Sequence, residues 1–557
     1  LLQIDRVNGG HEIDSGNRAA QTYDDAQPGV YFSSAGHQAC YEHNRSTGMP
    51  LARLRTNTRS RKLGESNAAL PTRRHFVQQM AVAAAAFCGS PINVLAGTQR
   101  KSEARGQHTP PVDEVAIRKL ASKISGHVIT PEAPDYESAR LVFNRAFDRR
   151  PALIVRCAGA SDVARALAFA QKQNLPLAVR GGGHNRAGFS VCDRGVVIDL
   201  SGMNRVEVDA GKRVARAEAG ALVRDLDQAT QRFGLATTSG GCPTVGIAGL
   251  TLGGGEGLLM SKYGVACDNL IWARLVTVDG RQVEASRNSN SDLFWAIRGG
   301  GGNFGVATAL EYRLHPVADV LTGTLVYPVG RIPELLQAFV KFVAAAPDEM
   351  NVVGMVLPSE QGTRFQMLVC HCGHPRQGNE LLKPLRALKP REDNVRVKSY
   401  LEAQAAAFLP APVAHFQTDL FLPELSAAAI ATITEATNDA RPSTRVFIVP
   451  LYGAVTRVGL SDTAFPLRRP GYEVDLVGVW SAQAEKESAV QWVKSLRDNL
   501  RPFAHGVYVN QLGETSEELV KAAYGTNYAR LVEIKKKYDP RNVLRLNQNI
   551  KADEALE

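Results

Sequence analysis

Between Arg180 and Gly257 the chain carries two glycine-rich loops, each with one reactive side chain set in it, and no other stretch constrains the fold as strongly. The first reads Arg180-Gly181-Gly182-Gly183-His184-Asn185-Arg186-Ala187-Gly188-Phe189-Ser190 and follows the apolar run Leu175 to Val179, which has the character of a buried strand. Three glycines after a strand let the backbone turn with positive φ and bring amide N–H groups close to a ligand. Successive N–H groups of this kind form an anion-binding nest, which suits a pyrophosphate. An imidazole directly behind the nest can serve as a nucleophile as well as an acid or base. The second loop reads Ser239-Gly240-Gly241-Cys242-Pro243-Thr244-Val245-Gly246-Ile247-Ala248-Gly249-Leu250-Thr251-Leu252-Gly253-Gly254-Gly255-Glu256-Gly257. It is too rich in glycine for an ordinary helix interior, so its backbone must approach something closely.

His184 in Gly-Gly-His-Asn and Cys242 in Gly-Gly-Cys-Pro-Thr-Val-Gly resemble the two attachment residues of the vanillyl-alcohol-oxidase-type (PCMH-type) flavoproteins, in their berberine-bridge-enzyme-like branch. The resemblance runs from about Val128 to Ile550, with its most specific motifs between Arg180 and Val306 and between Tyr538 and Ile550. It implies FAD held covalently at two points, through His184 to the 8α-methyl and through Cys242 to C6 of the isoalloxazine. It also implies cofactor contacts from Arg180, Asn185, Ser190, Val245 and the glycines of both loops. The bacterial hydroxynicotine oxidases are similar in the first loop but lack the cysteine of the second. In the resembled family a valine at the position of Val245 goes with oxygen access to the reduced flavin, and a leucine with dehydrogenases.

At 557 residues the chain is expected to form more than one compact unit. Its 44% hydrophobic and 22% charged content is that of an ordinary soluble globular protein. The net charge of +10 invites a nucleic-acid reading, but residues 1–110 hold 13 Lys and Arg against 8 Asp and Glu, so half of the excess lies there. No basic run with interleaved aromatics follows, which sets nucleic acid aside. After Met49, the first methionine, come a basic segment, then Thr72-Arg73-Arg74-His75-Phe76-Val77, then the mildly apolar Met80 to Cys88. This resembles a twin-arginine export signal with Val94-Leu95-Ala96 as a cleavage site, and implies the export machinery as a partner and a periplasmic or secreted location. The apolar run is well short of the ~20 residues that a membrane span needs. The eight cysteines (40, 88, 157, 192, 242, 267, 370, 372) show neither zinc spacing nor a dense disulfide framework. Cys370-His371-Cys372-Gly373-His374 follows the run Phe365 to Val369, and alternating strand positions explain it more simply than a metal does.

Mature structure is expected from Val112, with a disordered leader over 1–110, an FAD-binding part over 112–318, a substrate-binding part over 319–505 and a C-terminal module over 506–551. Within the second of these, Tyr136 to Phe147 reads as a helix, Leu153 to Arg156 and Leu177 to Arg180 as strands, and Ser161 as the N-cap of an alanine-rich helix to Gln173. Asp279-Gly280 between Ile271–Val278 and Gln282–Ala285 is a strong hairpin signal. The pattern is that of an α+β domain with a glycine-rich seam. Gly300-Gly301-Gly302-Asn303-Phe304-Gly305 fits the dinucleotide fingerprint, yet it follows an apparent helix, Leu293 to Ile297, and leads into the strand-like Val306 to Tyr312. That order is the reverse of strand-loop-helix, so no nicotinamide site is expected. The resemblance instead implies that Gly305 and Val306 touch the flavin.

Beyond Pro316, longer strand-like segments with helices between them suggest an antiparallel sheet backed by helices, lidding the cofactor and lining a substrate pocket. Tyr538-Asp539-Pro540-Arg541-Asn542-Val543-Leu544 and Asn547-Gln548-Asn549-Ile550 resemble the C-terminal module of the berberine-bridge branch, with Asn547 and Asn549 toward the cofactor. The run Lys535-Lys536-Lys537 reads as a solvated helix face. A flavin oxidation of an alcohol needs a base at the reacting hydroxyl. The candidate is Tyr508, in the strand-like Val507-Tyr508-Val509-Asn510, which matches the family's Tyr-x-Asn; Gln511 stands where the family usually has a second tyrosine. Glu473 and Asp475, at alternate positions of the run Tyr472 to Trp480, are its helpers or replacements. The expected activity is oxidation of a bulky hydroxylated molecule such as a sugar, oligosaccharide or polyketide glycoside, with molecular oxygen reduced to hydrogen peroxide. The rivals are an amine oxidase of the hydroxynicotine kind, a dehydrogenase using another acceptor, and a flavoprotein that binds without turnover.

Overall fold

The computed structural model describes residues 112–405, 412–438 and 444–552. The twin-arginine segment, Cys40 and Cys88 lie outside the described residues, which all fall in one compact unit. Three sheets carry the architecture. The first takes β1 (His127–Ile129), β2 (Leu153–Arg156), β3 (Leu177–Arg180) and β4 (Val196–Asp199) in the order β1-β2-β4-β3. β2, β4 and β3 run parallel, with α1 (Ala160–Lys172) as the crossover between β2 and β3. The apolar runs of these strands are buried on both faces, as parallel strands require. Helix α1 starts at Ala160, one residue before the expected cap; the carboxylate of Asp162 instead takes the N–H groups of Ser125, Gly126 and Ala158 at 2.9–3.0 Å. Only Tyr136–Ala139 of the expected 136–147 helix is helical.

The second sheet is antiparallel and takes β5 (Val206–Asp209), β6 (Val214–Glu218), β8 (Leu270–Val276), β9 (Gln282–Ser286) and β10 (Val306–Arg313) in the order β5-β6-β10-β8-β9. A separate small antiparallel pair joins β7 (Leu235–Ala236) to β11 (His315–Pro316). Helix α2 (Val223–Gln231) precedes the cysteine loop and helix α3 (Ile247–Leu252) is wound from its far half. The Gly300–Gly305 stretch does run from a helix, α4 (Ser291–Ala296), into β10, so its fingerprint lacks the strand-loop-helix setting.

The third sheet has eight strands, all antiparallel: β12 (Asp319–Val326), β13 (Met350–Ser359), β14 (Gly362–His371), β15 (Glu392–Asp393), β16 (Arg396–Ser399), β17 (Ala414–Leu422), β18 (Thr444–Leu451) and β19 (Gly471–Trp480). The order is β15-β12-β14-β13-β18-β19-β17, with β16 also on β12. Period-two alternation divides β19. Tyr472, Val474 and Leu476 join the main core, packed under α5 (Ile332–Ala344), α6 (Ala427–Asn438) and α7 (Lys486–Leu500). Helix α7 presents Ala489, Val493, Leu496 and Leu500, one stripe at three- and four-residue spacing. Gly478 admits this helix, because a Cβ there would stand 2.7 Å from the Ala489 carbonyl oxygen. The other face of β19, with Glu473, Asp475 and Val477, looks away from the helices.

The C-terminal segment packs against the Gly300–Gly305 loop. Ile550 N–H donates to Asn303 Oδ1 at 3.1 Å, and Asn547 Nδ2 to the Gly302 carbonyl at 3.4 Å. Helix α8 (Tyr528–Tyr538) corrects one expectation: Lys535 is fully buried. Its ammonium donates to Asp539 at 2.7 Å and to the carbonyls of Asn303 and Leu544 at 2.9 and 3.1 Å, so only Lys536 and Lys537 form a solvated face. Among the described residues no helix is long and apolar enough to cross a membrane, and no group of His, Cys, Asp and Glu is arranged to hold a metal.

Candidate active site

His184 lies in the connection from β3 to β4, and Cys242 in the turn between β7 and α3. The two loops meet through glycine. A Cβ on Gly182 would stand 2.2 Å from the Gly246 nitrogen, and one on Gly246 would stand 2.2 Å from the Gly182 nitrogen, so no other residue permits the approach. The contact sets both reactive groups beside one hydroxyl. His184 Nε2 is 3.0 Å and Cys242 Sγ 3.4 Å from Thr244 Oγ1. Phe143 stacks on the imidazole with ring centroids 4.0 Å apart. Burial, then the charges of Arg186 and His415, lowers His184 to about 3, so the ring is neutral and keeps a nitrogen lone pair for bond formation.

Both groups open onto a cavity of ≈ 360 Å³, inside the range of roughly 300–1,000 Å³ usual for small-molecule sites. Its opposite wall comes from the large sheet. Alternation brings Gln417 and Asp419 of β17 to the same face as Glu473 and Asp475 of β19, with Asp419 directly across from Asp475. Gln417 Nε2 donates to both oxygens of Asp475 at 2.8 Å and to Gln511 Oε1 at 2.8 Å. Burial raises Asp475 to about 7, against the opposing charge of Arg186 and the Gln417 hydrogen bond. Arg186 stands on the cavity wall within the field of Asp475, Cys242 and Glu473. Glu473 is fully buried and its carboxyl is pushed well up, first by burial and then by the neighbouring charge of Glu256.

Tyr508 enters the cavity from a direction the sequence did not indicate. No strand forms at Val507–Asn510; Val509–Gln511 is a 3-10 turn with Tyr508 just before it. The Tyr508 N–H donates to Asp419 Oδ2 at 2.5 Å, which anchors the turn on β17. The Tyr508 hydroxyl accepts from Gly255 N–H and from Asn510 Nδ2, each at 2.8 Å. Two donors favour a phenolate, but burial and then the Glu256 charge raise the phenol well above its ordinary value. The hydroxyl therefore keeps its proton and can donate it.

Of the residues singled out from sequence, Gly181, Gly182, Gly183, His184, Asn185 and Ser190 of the first loop line the cavity. So do Gly240, Gly241, Cys242, Val245, Gly246, Gly249 and Gly257 of the second, together with Gly305, Val306, Asp475, Tyr508 and Asn547. The others stand behind this lining. Arg180 is paired with Asp199 at 3.0 Å between β3 and β4. Gly188 makes room for the Phe147 ring, Gly253 for the Asn510 side chain and Gly254 for Phe465. Gly255 acts through its N–H on Tyr508, and Glu473 through Glu256. Asn549 is half-buried and does not reach the lining. Sequence reasoning missed Arg186, Glu256, Asn351, Gln417 and Asn510. Glu256 carried a signal, as the lone charged residue in the second glycine run; the Gln417–Asp419 alternation was also there to be read.

The cavity has the features of a flavin cradle. Beside Gly249 and Gly302 a Cβ would meet nothing within 4 Å, so open space adjoins α3 and the Gly300–Gly305 stretch. The buried acceptor oxygens of Asn547, Asn351 and Gln417 have no partner within the protein and await donors from a ligand. The FAD binding domain family matches residues 151–286, and the family described as berberine and berberine like matches 507–551. An FAD-linked oxidoreductase of Bacillus subtilis, YgaK, is 31% identical over 440 residues, 77% of this chain and 97% of its own. The (R)-6-hydroxynicotine oxidase of Paenarthrobacter nicotinovorans is 31% identical over 456 residues, 78% of this chain and 98% of its own. The berberine-bridge-like protein 1 of Physcomitrella patens has the same fold, with a TM-score of 0.73 at 24% identity over 79% of this chain and all of that one.

Proposed function

The chain belongs to the berberine-bridge-enzyme-like branch of the vanillyl-alcohol-oxidase-type FAD-linked oxidoreductases, and from that premise we propose an oxidase that holds FAD by bonds to both His184 and Cys242 and oxidises a bulky hydroxylated substrate. The observation that carries the tether reading is the convergence of His184 Nε2 and Cys242 Sγ on Thr244 Oγ1. Bound FAD would supply the acceptor for a hydride from carbon. Asp475 is the base: a carboxylate titrating near 7 is matched to taking a hydroxyl proton at neutral pH. Gln417 holds both of its oxygens in place. The Tyr508 hydroxyl orients the substrate by donating to its oxygen, and Asn510 and the Gly255 N–H fix that hydroxyl.

The acceptor-rich wall of Asp475, Asn351, Gln417 and Glu256 fits a ligand rich in O–H donors, such as a sugar or glycoside. A protonated amine would satisfy the same wall, and the 31% identity to the (R)-6-hydroxynicotine oxidase favours that second reading. A panel of saccharides, glycosides and cyclic amines with peroxide detection separates the two. Peroxide from hydroxylated substrates alone is expected; peroxide from amines alone would replace the first reading with the second. Oxygen as the acceptor is proposed from Val245, half-buried on the cavity wall. Export through the twin-arginine route is proposed from Arg73-Arg74, and a periplasm-only reporter fused to the leader would stay silent without it.

A further inference from the structure

Outside the cavity lining, three buried side chains from distant parts of the chain meet behind the cysteine loop. Gln404 Nε2 lies 3.1 Å from Asp227 Oδ2, 3.0 Å from Ser239 Oγ and 3.0 Å from the Gly240 carbonyl oxygen. Ser239 Oγ donates to the other Asp227 oxygen at 3.0 Å. Gln404 and Ser239 are 2% exposed and Asp227 is 1%. Asp227 comes from α2, Ser239 and Gly240 lead directly into Cys242, and Gln404 ends the short helix Tyr400–Gln404 that follows β16 of the large sheet. The same loop is pressed from its other side, since a Cβ on Gly257 would stand 2.8 Å from the Gly240 nitrogen. Gly240 itself holds φ +98°, a conformation that only glycine adopts without strain. Among the described residues the Gln404 amide is the one protein donor to the Gly240 carbonyl.

We infer that Gln404, Asp227 and Ser239 form a clamp that fixes the backbone at Gly240 and so aims the Cys242 sulfur, making Gln404 a positioning residue by which the large-sheet half governs formation of the cysteine tether. This rests on the proposed reading of Cys242 as a tether. Replacing a ring C–H by C–S consumes the S–H and C–H bonds and releases two protons and two electrons. Dioxygen, the acceptor in the proposed reaction, takes both and leaves as hydrogen peroxide. The His184 ring is held by stacking on Phe143, a residue outside the clamp, so the clamp should act on one tether and not the other.

The test uses holoprotein and reads flavin kept after acid denaturation. In a His184→Ala background the cysteine bond alone retains flavin. Adding Gln404→Met, of similar size but without the amide, should cut retention at least tenfold. With His184 intact, Gln404→Met should keep its flavin while peptide mass spectrometry finds Cys242 as a free thiol, an outcome that general loosening of the fold would not give. If Gln404→Met does not fold, Ser239→Ala removes one leg of the clamp and should lower retention several-fold. Unchanged retention in these double variants overturns the clamp alone. A His184→Ala parent that releases all its flavin overturns the tether reading, and the clamp with it.

Discussion

The two walls of the cavity are built on different principles. The loop wall is local: one turn places His184 after β3, another places Cys242 before α3, and glycine lets the two touch. The sheet wall is assembled from pairs far apart in sequence. Asp475 meets Gln417 across a β17–β19 register, and Tyr508 is pinned to Asp419. A local wall tolerates little variation in its residue types, because close backbone contact excludes any Cβ. The sheet wall can exchange side chains at alternate positions without disturbing the helices behind it, because the core faces the other way. On the proposed reading, attachment of the cofactor belongs to the first wall and substrate choice and proton transfer to the second.

The sharpest way to break this division is to change the sheet wall and watch both functions. Asp475→Asn removes the proposed base and keeps the side-chain shape. Reduction of the flavin by substrate, followed by stopped flow, should slow by about 10²–10⁴-fold, with flavin retention unchanged. A rate within a few-fold of wild type would return the role to Tyr508. Tyr508→Phe removes one orienting hydrogen bond and leaves the ring against Phe465; a smaller loss of about 10–10²-fold is expected, as for a hydrogen bond worth about 1.5–3 kcal/mol.

Stability should separate from both. Lys535→Met strands the buried Asp539 carboxylate and should cost about 3–5 kcal/mol in denaturant unfolding, while substrate reduction of the folded fraction stays near wild type.

The smallest effects are in pH. Because Asp475 must be ionised to accept a proton, the reduction rate should rise with pH and level off above about 7. Asp227, raised to about 7 by burial against the hydrogen bonds of Gln404 and Ser239, acts on stability instead. Between the ordinary carboxylate value near 4 and about 7 it holds a proton in the folded protein that the unfolded chain has released. Its contribution is complete below that window and lost as pH rises through it. Thermal melts from pH 4 to 8 should therefore show a smaller decline in Asp227→Asn than in wild type.

The difference between the walls also explains what the sequence disclosed. The loop wall was readable because its chemistry lies within short contiguous strings, and the reversed order at Gly300–Gly305 was readable for the same reason. Glu473 and Asp475 could be named as alternating neighbours, and so could Gln417 and Asp419, but pairing the two strands required a register that no local pattern gives. Tyr508 was located by its Tyr-x-Asn string, yet its backbone was misread as a strand, since a tertiary anchor on Asp419 decides the turn. Lys535 was misread because a run of three lysines looks solvated until Asn303 and Leu544 supply carbonyls to one of them.

In the proposed reading one loop wall carries two tethers, both beside the Thr244 hydroxyl. The direct measurement is flavin absorbance left on acid-denatured protein for wild type, His184→Ala, Cys242→Ala and the double replacement. Wild type and both single variants should keep their flavin, and only the double variant should release it. Free release from wild type, or from either single variant, would contradict the account.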